Sequence, residues 1–537
     1  MSTPTPPEPD STSSSPAAPA IKQRSLLGSG LIVSAMTMIS RVLGLIRDIV
    51  MATLLGAGGA ADAFFVAFKI PNFLRRLFAE GAFNQAFIPV LAEYAQQKTK
   101  AEIQRLINAV AGCLGLALVG ITSLALLAAP LLVWLFAPGF AQDPIKQALT
   151  VDLLRITFPY LLLISLTAFA GSILNTWGRF AIPAITPVLL NLSLIGSALF
   201  LTPLVGEAAE ALAWGVLIAG MIQLAFQLPF LAQLGLFPFP RPQWRHEGVR
   251  RILRLMAPAL FGVSVSQINL LLDTLLASFL TDGSVGWLYY ADRLVELPLG
   301  VFGIAIATVI LPSLSRQHAS ADREQFSCLL DWAVRMVLLI GLPAALALVY
   351  LAEPLLISLF QYGAMTAEDT TQSARALQAY ALGLLAFMLI KVLAPGYFAR
   401  QNTRTPVRIG IKAMIANMLF NLILIYPLAH VGLALATAAS AFLNAGWLAA
   451  GLRKEGVLQW SRGWGRYALQ LGAALGVLAL VLYFATPEAA VWLEWSLGER
   501  LGRLAWLIPL GGLSYAITLL LLGIRPRHLR PAVHTAS

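Results

Sequence analysis

Stretches of about 20 apolar residues follow one another along nearly the whole chain, each the length of helix that crosses the hydrocarbon core of a bilayer. No other feature narrows the possible folds as much. Of 537 residues, 58% are hydrophobic and only 12% are charged, too few polar groups to cover the exterior of a water-soluble protein of this size. The expected fold is an all-α integral membrane protein with about fourteen transmembrane helices. Ala61–Tyr94, Ile103–Phe136 and Val285–Leu314 each read as one long helix, while Val407–Tyr426 and Val431–Leu452 read as two.

The net charge is +11, a balance that in a soluble chain would raise nucleic-acid binding. Here the positive residues collect in alternate loops, which is a membrane-topology signal, so no nucleic-acid partner is expected. One loop set holds Lys98, Lys100 and Arg105, then Arg179, the run Arg241 to Arg254, Arg316 and Arg323, Arg400 to Arg408, and Arg453 to Arg466. The other set, including Thr281–Ser284 and Gly363–Thr371, is nearly free of Lys and Arg; its exceptions are Lys146, Arg375, Arg500 and Arg503. With an even number of spans, this bias puts both termini in the cytoplasm of a multi-pass inner-membrane protein. The Pro- and Ser-rich start, 1–23, and the end, 525–537, read as tails. Cys113 and Cys328 are too few for a disulfide framework or a cysteine metal cluster and read as small buried side chains.

A weak internal repeat divides the spans. Arg47-Asp48 to Gly58 can be laid on Leu272-Asp273 to Gly283, and Ile88-Pro89-Val90-Leu91 on Leu311-Pro312-Ser313-Leu314 at nearly the same offset. Two six-helix units with the same topology follow, 24–240 and 249–455, with a final helix pair over 464–524. There is no phosphate loop ending in Lys-Ser or Lys-Thr and no His-Glu-x-x-His zinc motif. Driving force is therefore expected from an ion gradient, the membrane potential or the substrate's own gradient.

The most informative residues are ionisable groups inside apolar runs, each costing roughly 2.5–3.5 kcal/mol at a helix centre. Helix one carries Arg41, Arg47 and Asp48; helix two carries Asp62, Lys69, Arg75, Arg76 and Glu80, the last two spaced to pair; helix eight carries Asp292, Arg293 and Glu296; helix ten carries Lys391. Snorkelling ends and structural ion pairs account for some of these. Several central arginines on three helices point instead to a wet cavity that holds an anion, because the planar guanidinium fork grips phosphate oxygens in pairs. An amphipathic, phosphate-bearing lipid fits such a cavity.

Ser34 to Asp48, Asp62 to Asn72, Arg75 to Pro89, Tyr289-Tyr290-Ala291-Asp292-Arg293-Leu294 and Lys391 to Gly396 together resemble the MurJ (MviN) family of lipid II flippases, from about Ser25 to Leu522. The resemblance implies the multidrug/oligosaccharidyl-lipid/polysaccharide exporter fold, two six-helix lobes in a V plus a C-terminal pair forming a groove for the lipid tail. It implies that Arg47, Arg75 and Arg293 hold the substrate diphosphate with Arg41 and Asp48 beside them, and that Asp62, Glu80, Glu296 and Lys391 line or gate the cavity. The implied activity is translocation of undecaprenyl-diphosphate-linked peptidoglycan precursor, lipid II, for cell wall biogenesis, by a monomer in contact with membrane lipids and without an enzymatic step or bound cofactor. Some family members resemble sodium-coupled transporters, which marks Asp273, Asn417, Asn421 and Thr437 as a Na+ site; Asn421 stands where a second carboxylate can occur, and Asp273 as a proton carrier is the rival. Interhelical hydrogen bonding explains the same Asn and Thr residues without an ion. Two other transport readings share the fold: export of another polyprenyl-diphosphate-linked oligosaccharide, and drug antiport, which an arginine-lined cavity disfavours. A membrane transferase would need an acidic metal motif or a general base facing a large outer loop, and neither is evident.

Overall fold

The computed structural model describes residues 23–319 and 322–525. The expected tails at 1–23 and 525–537 lie almost wholly outside that range. Among the described residues there is no strand. The chain begins with α1 (Gln23–Leu55) and α2 (Gly59–Leu74), widens into a π-type turn over Arg75–Phe83, and continues as α3 (Asn84–Gln97), α4 (Lys100–Leu127) and α5 (Ala129–Phe136). It goes on through α6 (Pro144–Thr157), α7 (Tyr160–Thr176), α8 (Ala181–Gly196), the short α9 (Thr202–Val205) and α10 (Ala208–Gln233). After a linker come α11 (Glu247–Ala277), α12 (Ser284–Pro298), a second wide turn over Leu299–Gly303, α13 (Ile304–Ala319), α14 (Arg323–Tyr350) and α15 (Ala352–Leu359). Last are α16 (Ala367–Phe398), α17 (Arg404–Lys454), α18 (Trp464–Ala485), α19 (Ala489–Glu494) and α20 (Leu497–Leu521).

Nine helical stretches among the described residues are long and apolar enough to cross a membrane. The chain is a multi-pass membrane protein. α1 carries Arg41, Arg47 and Asp48 in its second half. Three capping boxes fix where helices begin: Thr99 with Glu102 at α4, Thr366 with Asp369 at α16, and Ser496 with Glu499 at α20.

Several expected boundaries are corrected. The single helix expected over Ala61–Tyr94 is opened by the wide turn at Arg75–Phe83, shortly after Pro71. Proline has no N–H to give the carbonyl four residues back. That carbonyl, on Ala67, instead accepts from the Thr157 hydroxyl at 3.0 Å. Ile103–Phe136 divides at Ala128, ahead of Pro130, and Val285–Leu314 widens directly after Pro298. The two helices expected over Val407–Tyr426 and Val431–Leu452, by contrast, are both present as the two arms of α17, which meet at a non-helical kink at Ala429 with φ 48° and ψ −128°. Cys113 is buried as expected, but Cys328 is exposed near the start of α14, so it is no core side chain.

The helices pack in an order that positions the site. α1 lies on α8, α2 on α6, and α10 closes against α7 and α8. In the second half α16 is the central post, touching α12, α13, α14, α15 and α17. α18 and α20 pack on each other and against α14. α11 bridges the halves: it follows the linker yet packs against α3, α4 and the first wide turn as well as α17. One buried core runs through both halves, with Phe64, Tyr160, Tyr290 and Phe360 fully enclosed. In lipid such contacts are held by close packing and interhelical hydrogen bonds rather than by expulsion of water.

Candidate functional site

Four helices, α1, α8, α12 and α16, surround a cavity of about 540 Å³. Its charged lining is Arg41, Arg47 and Asp48 from α1, Arg293 and Glu296 from α12, and Lys391 from α16. Four cations thus meet two carboxylates, and the chamber keeps a positive excess. Six of the residues singled out in the sequence come together here although the chain separates them by hundreds of positions.

Within the cavity the arginines are organised around one carboxylate. Asp48 is buried and receives Arg47 Nη2 at 2.6 Å and Nε at 3.0 Å. Its other oxygen lies 3.4 Å from Arg293 Nε. The Tyr289 hydroxyl donates to Asp48 Oδ1 at 2.8 Å and accepts from Arg47 Nη2 at 3.2 Å and Arg293 Nη2 at 3.3 Å. The Tyr289 ring is stacked on Phe65 at 4.1 Å and carries the Arg293 guanidinium at 4.8 Å. Arg47 also donates through Nη1 to Asn191 Oδ1 on α8 at 3.0 Å, and the Asn191 amide donates to the Ser40 carbonyl at 2.9 Å. Asn191 therefore ties α8 to α1 beside Gly44 while aiming Arg47 into the chamber. Arg293 remains about one-third exposed and also pairs with Glu296 at 2.9 Å. A dianionic group has the geometry to take over both guanidinium forks, since Asp48 already shows where acceptor oxygens sit.

Other expected residues lie elsewhere. Arg75 is not part of this lining; its Nε donates to Asn72 Oδ1 at 3.1 Å on its own helix. The Glu80 side chain, and with it the expected Arg76–Glu80 pair, lies outside the described residues. Lys69 does not line this cavity, but it feels the charges of Asp273, Asp292, Arg76 and Arg293.

Asp62 belongs to a latch between the halves. Its buried carboxylate accepts the backbone N–H of Gly283 at 2.8 Å and of Gly286 at 2.9 Å, at the start of α12. A carboxylate at a helix N-terminus satisfies N–H groups that the helix itself cannot. Lys146 reaches Asp62 at 3.0 Å and Asp282 at 2.7 Å, so the latch is an ion chain across the halves. The Tyr290 hydroxyl donates to the Gly56 carbonyl at 3.0 Å, and Ala364 N–H to the Thr53 carbonyl at 2.8 Å. Gly283 (φ +95°) and Gly363 (φ +58°) occupy left-handed backbone at these contacts, and a side chain on Gly363 would lie 2.2 Å from the Thr53 carbonyl oxygen. At the opposite end of the helices Glu93 of α3 pairs with Arg251 of α11 at 2.7 Å, which holds the Glu93 carboxyl below its ordinary range.

The expected cation residues also assemble. Asp273 accepts from Asn421 Nδ2 at 2.8 Å, Asn417 Nδ2 at 3.2 Å and the Thr437 hydroxyl at 3.4 Å. Asn421 Oδ1 is buried with no hydrogen-bond partner among the described residues. Rotating that amide would turn its oxygen toward Asp273, giving a carboxylate and carbonyl oxygens suited to a small hard cation. Among the described residues no group of three or more His, Cys, Asp or Glu could hold a metal.

Tyr289, Asn191 and Lys146 were not singled out as site residues from the sequence. Lys146 carried a signal as a cation in an otherwise uncharged loop set, Tyr289 sits inside the Tyr-Tyr-Ala-Asp-Arg motif, and Asn191 is a carboxamide alone in an apolar run.

A family model described as "Lipid II flippase MurJ" matches residues 51–505. The chain belongs to the lipid II flippase MurJ family. A "Probable lipid II flippase MurJ" of Vibrio cholerae is 49% identical, over 94% of this chain and 98% of that protein. A "Lipid II flippase MurJ" of Burkholderia cenocepacia is 43% identical, over 84% and 89%. A solved structure of "Lipid II flippase MurJ, inward closed conformation" is similar with a TM-score of 0.76 and 27% identity, covering 91% of this chain and 98% of that one. An inward-facing multidrug resistance MATE family transporter of the MOP superfamily shares the fold, with a TM-score of 0.64 and 16% identity.

Proposed function

We propose that this protein is a lipid II flippase, carrying undecaprenyl-diphosphate-linked peptidoglycan precursor from the inner to the outer leaflet of the bacterial inner membrane. The observation that carries the reading is the shared chamber in which Arg41, Arg47, Arg293 and Lys391 outnumber Asp48 and Glu296. In this proposal both termini are cytoplasmic, the latch end faces outward, and the protein acts as a monomer.

Units 24–240 and 249–455 act as rocking lobes. The diphosphate enters the chamber and takes the guanidinium forks of Arg47 and Arg293 from Asp48, with Arg41 and Lys391 supplying further charge. Arg75 meets the headgroup at another stage of the cycle. The pair over 464–524 guides the lipid tail; its outward face carries Phe484, Leu513 and Leu521. Release of the Asp62–Lys146–Asp282 latch then opens the chamber outward. Asp273, with Asn417, Asn421 and Thr437, binds Na+ or a proton to reset the cycle, and Lys69, in range of both Asp273 and Arg293, communicates between the two sites. The membrane potential contributes as well, about 2.3 kcal/mol per charge moved across 100 mV.

The test is depletion in cells followed by lipid analysis, together with translocation of lipid II by purified protein in liposomes. Build-up of lipid II in the inner leaflet and loss of translocation in Arg47→Ala are expected. Build-up of a different polyprenyl-linked glycan would redirect the assignment.

A further inference from the structure

A second cavity, of about 730 Å³, is separate from the arginine chamber. It opens at the latch end of the second half, between α16 and the bend of α17, and is lined by Thr281, Trp287, Arg375, Tyr426, Leu428 and His430 among others. Its size is that of a small-molecule site.

Of the four cations that break the charge bias at this end, three have partners. Lys146 lies in the latch, Arg500 donates to the carbonyls of Ile357 and Leu493, and Arg503 lies over Trp506 at 4.9 Å. Arg375 makes no hydrogen bond or ion pair with the described residues and lines this cavity instead. Around it the rim is apolar and outward-facing: Leu382 is exposed, Leu428 is exposed, and Tyr426 is 90% exposed.

The cavity floor is built rather than incidental. Ala429 holds a left-handed backbone conformation without being glycine, a strained arrangement that persists only where the surroundings fix it. Next to it His430 is buried and donates its ring N–H to the Gln372 carbonyl at 3.1 Å. The His430 ring packs against Trp287 at 4.8 Å, and Trp287 is anchored by its indole N–H to Asp369 at 2.8 Å. Trp287 adjoins Gly286, whose N–H the latch residue Asp62 holds.

We propose that this cavity is a binding site for an anionic membrane phospholipid, with the phosphate on Arg375 and the glyceryl and upper acyl carbons against Leu382, Tyr426 and Leu428. A guanidinium with no ion-pair partner among the described residues, beside an exposed apolar rim, has the two-part chemistry of a phospholipid, whereas a free anion would gain nothing from the rim. The occupant touches Trp287, and so bears on the same first turn of α12 that the latch grips.

The test uses the full chain in nanodiscs of phosphatidylcholine doped with a phosphatidylglycerol that carries a photoactivatable group on its acyl chain, present in both leaflets. Crosslinks are mapped by mass spectrometry. Labelling is expected within 372–382 and 426–435; Arg375→Gln lowers it about fivefold, the equilibrium factor of one arginine near a charged membrane surface, and Arg375→Lys retains most of it. The proposal is overturned by absence of label in both segments, by equal labelling of Arg375→Gln, by equal labelling from a matched phosphatidylcholine probe, or by displacement with water-soluble glycerol phosphate.

Discussion

Replacing Asp62 with asparagine should unfasten the latch without changing the shape of the residue. The wild-type carboxylate is 1% exposed and serves three donors: the N–H groups of Gly283 and Gly286 and the Lys146 ammonium. Asparagine keeps one acceptor oxygen, so one N–H stays satisfied while the other faces an amide donor. Lys146 keeps Asp282, whose carboxylate is 62% exposed and offers a weaker, water-screened partner. Losing two charge-assisted hydrogen bonds with only partial compensation weakens the latched state by about 3 kcal/mol, short of the cost of fully stranding a buried charge. That is roughly a hundredfold shift in the ratio of latched to open molecules. Spin labels at Glu207 and Glu368, both exposed at the latch end on opposite halves, would report it as a distance distribution in a Cys113→Ser/Cys328→Ser background. A longer distance should become prominent in Asp62→Asn, and Asp62→Glu should recover part of the short one. An unchanged distribution in Asp62→Asn, with the protein still folded, would refute the view that this carboxylate fastens the halves.

Three further outcomes are expected. Asn191→Leu removes the ties to Arg47 and to the Ser40 carbonyl, which should cost about 1–2 kcal/mol in unfolding experiments; lipid II affinity measured on the same protein should fall, and normal affinity would show that Arg47 needs no help from α8. Asp273→Asn should abolish any thermal stabilisation by NaCl relative to choline chloride, and persistence of that stabilisation would move the cation elsewhere. The Glu93–Arg251 pair, with its carboxyl held below the ordinary glutamate range, contributes above the unfolded pKa of about 4.3 and is lost as pH falls through the lower folded value. Thermal melts across that acidic window should be steeper in the wild type than in Arg251→Gln, and parallel curves would count against the pair.

Much of the cavity was legible because charge inside an apolar run is expensive. Arg41, Arg47, Asp48, Arg293, Glu296 and Lys391 all stood out on that ground, and all line one chamber. Arg75 stood out equally and is turned toward Asn72, since cost alone says that a charge needs company but not which company. Asp62 shows the same limit from the other side. Its partners are two backbone N–H groups and a lysine far along the chain, and a backbone N–H leaves no mark in a sequence. Tyr289 and Asn191 carry no such signal, because a neutral phenol or carboxamide costs little in a membrane helix.

The sequence alone determined that the chain is a helical membrane protein, through the length of its apolar runs, and that its function lives with the ionisable residues those runs enclose. It also carried the motifs that place it in its family. Which charges meet was decided by tertiary structure, as were the extent of the wide turns after Pro71 and Pro298, the bend at Ala429 and the closing of one end by Asp62. The reason is physical: burial in lipid is settled residue by residue, whereas pairing depends on the crossing of helices whose contacts are spread over the whole chain.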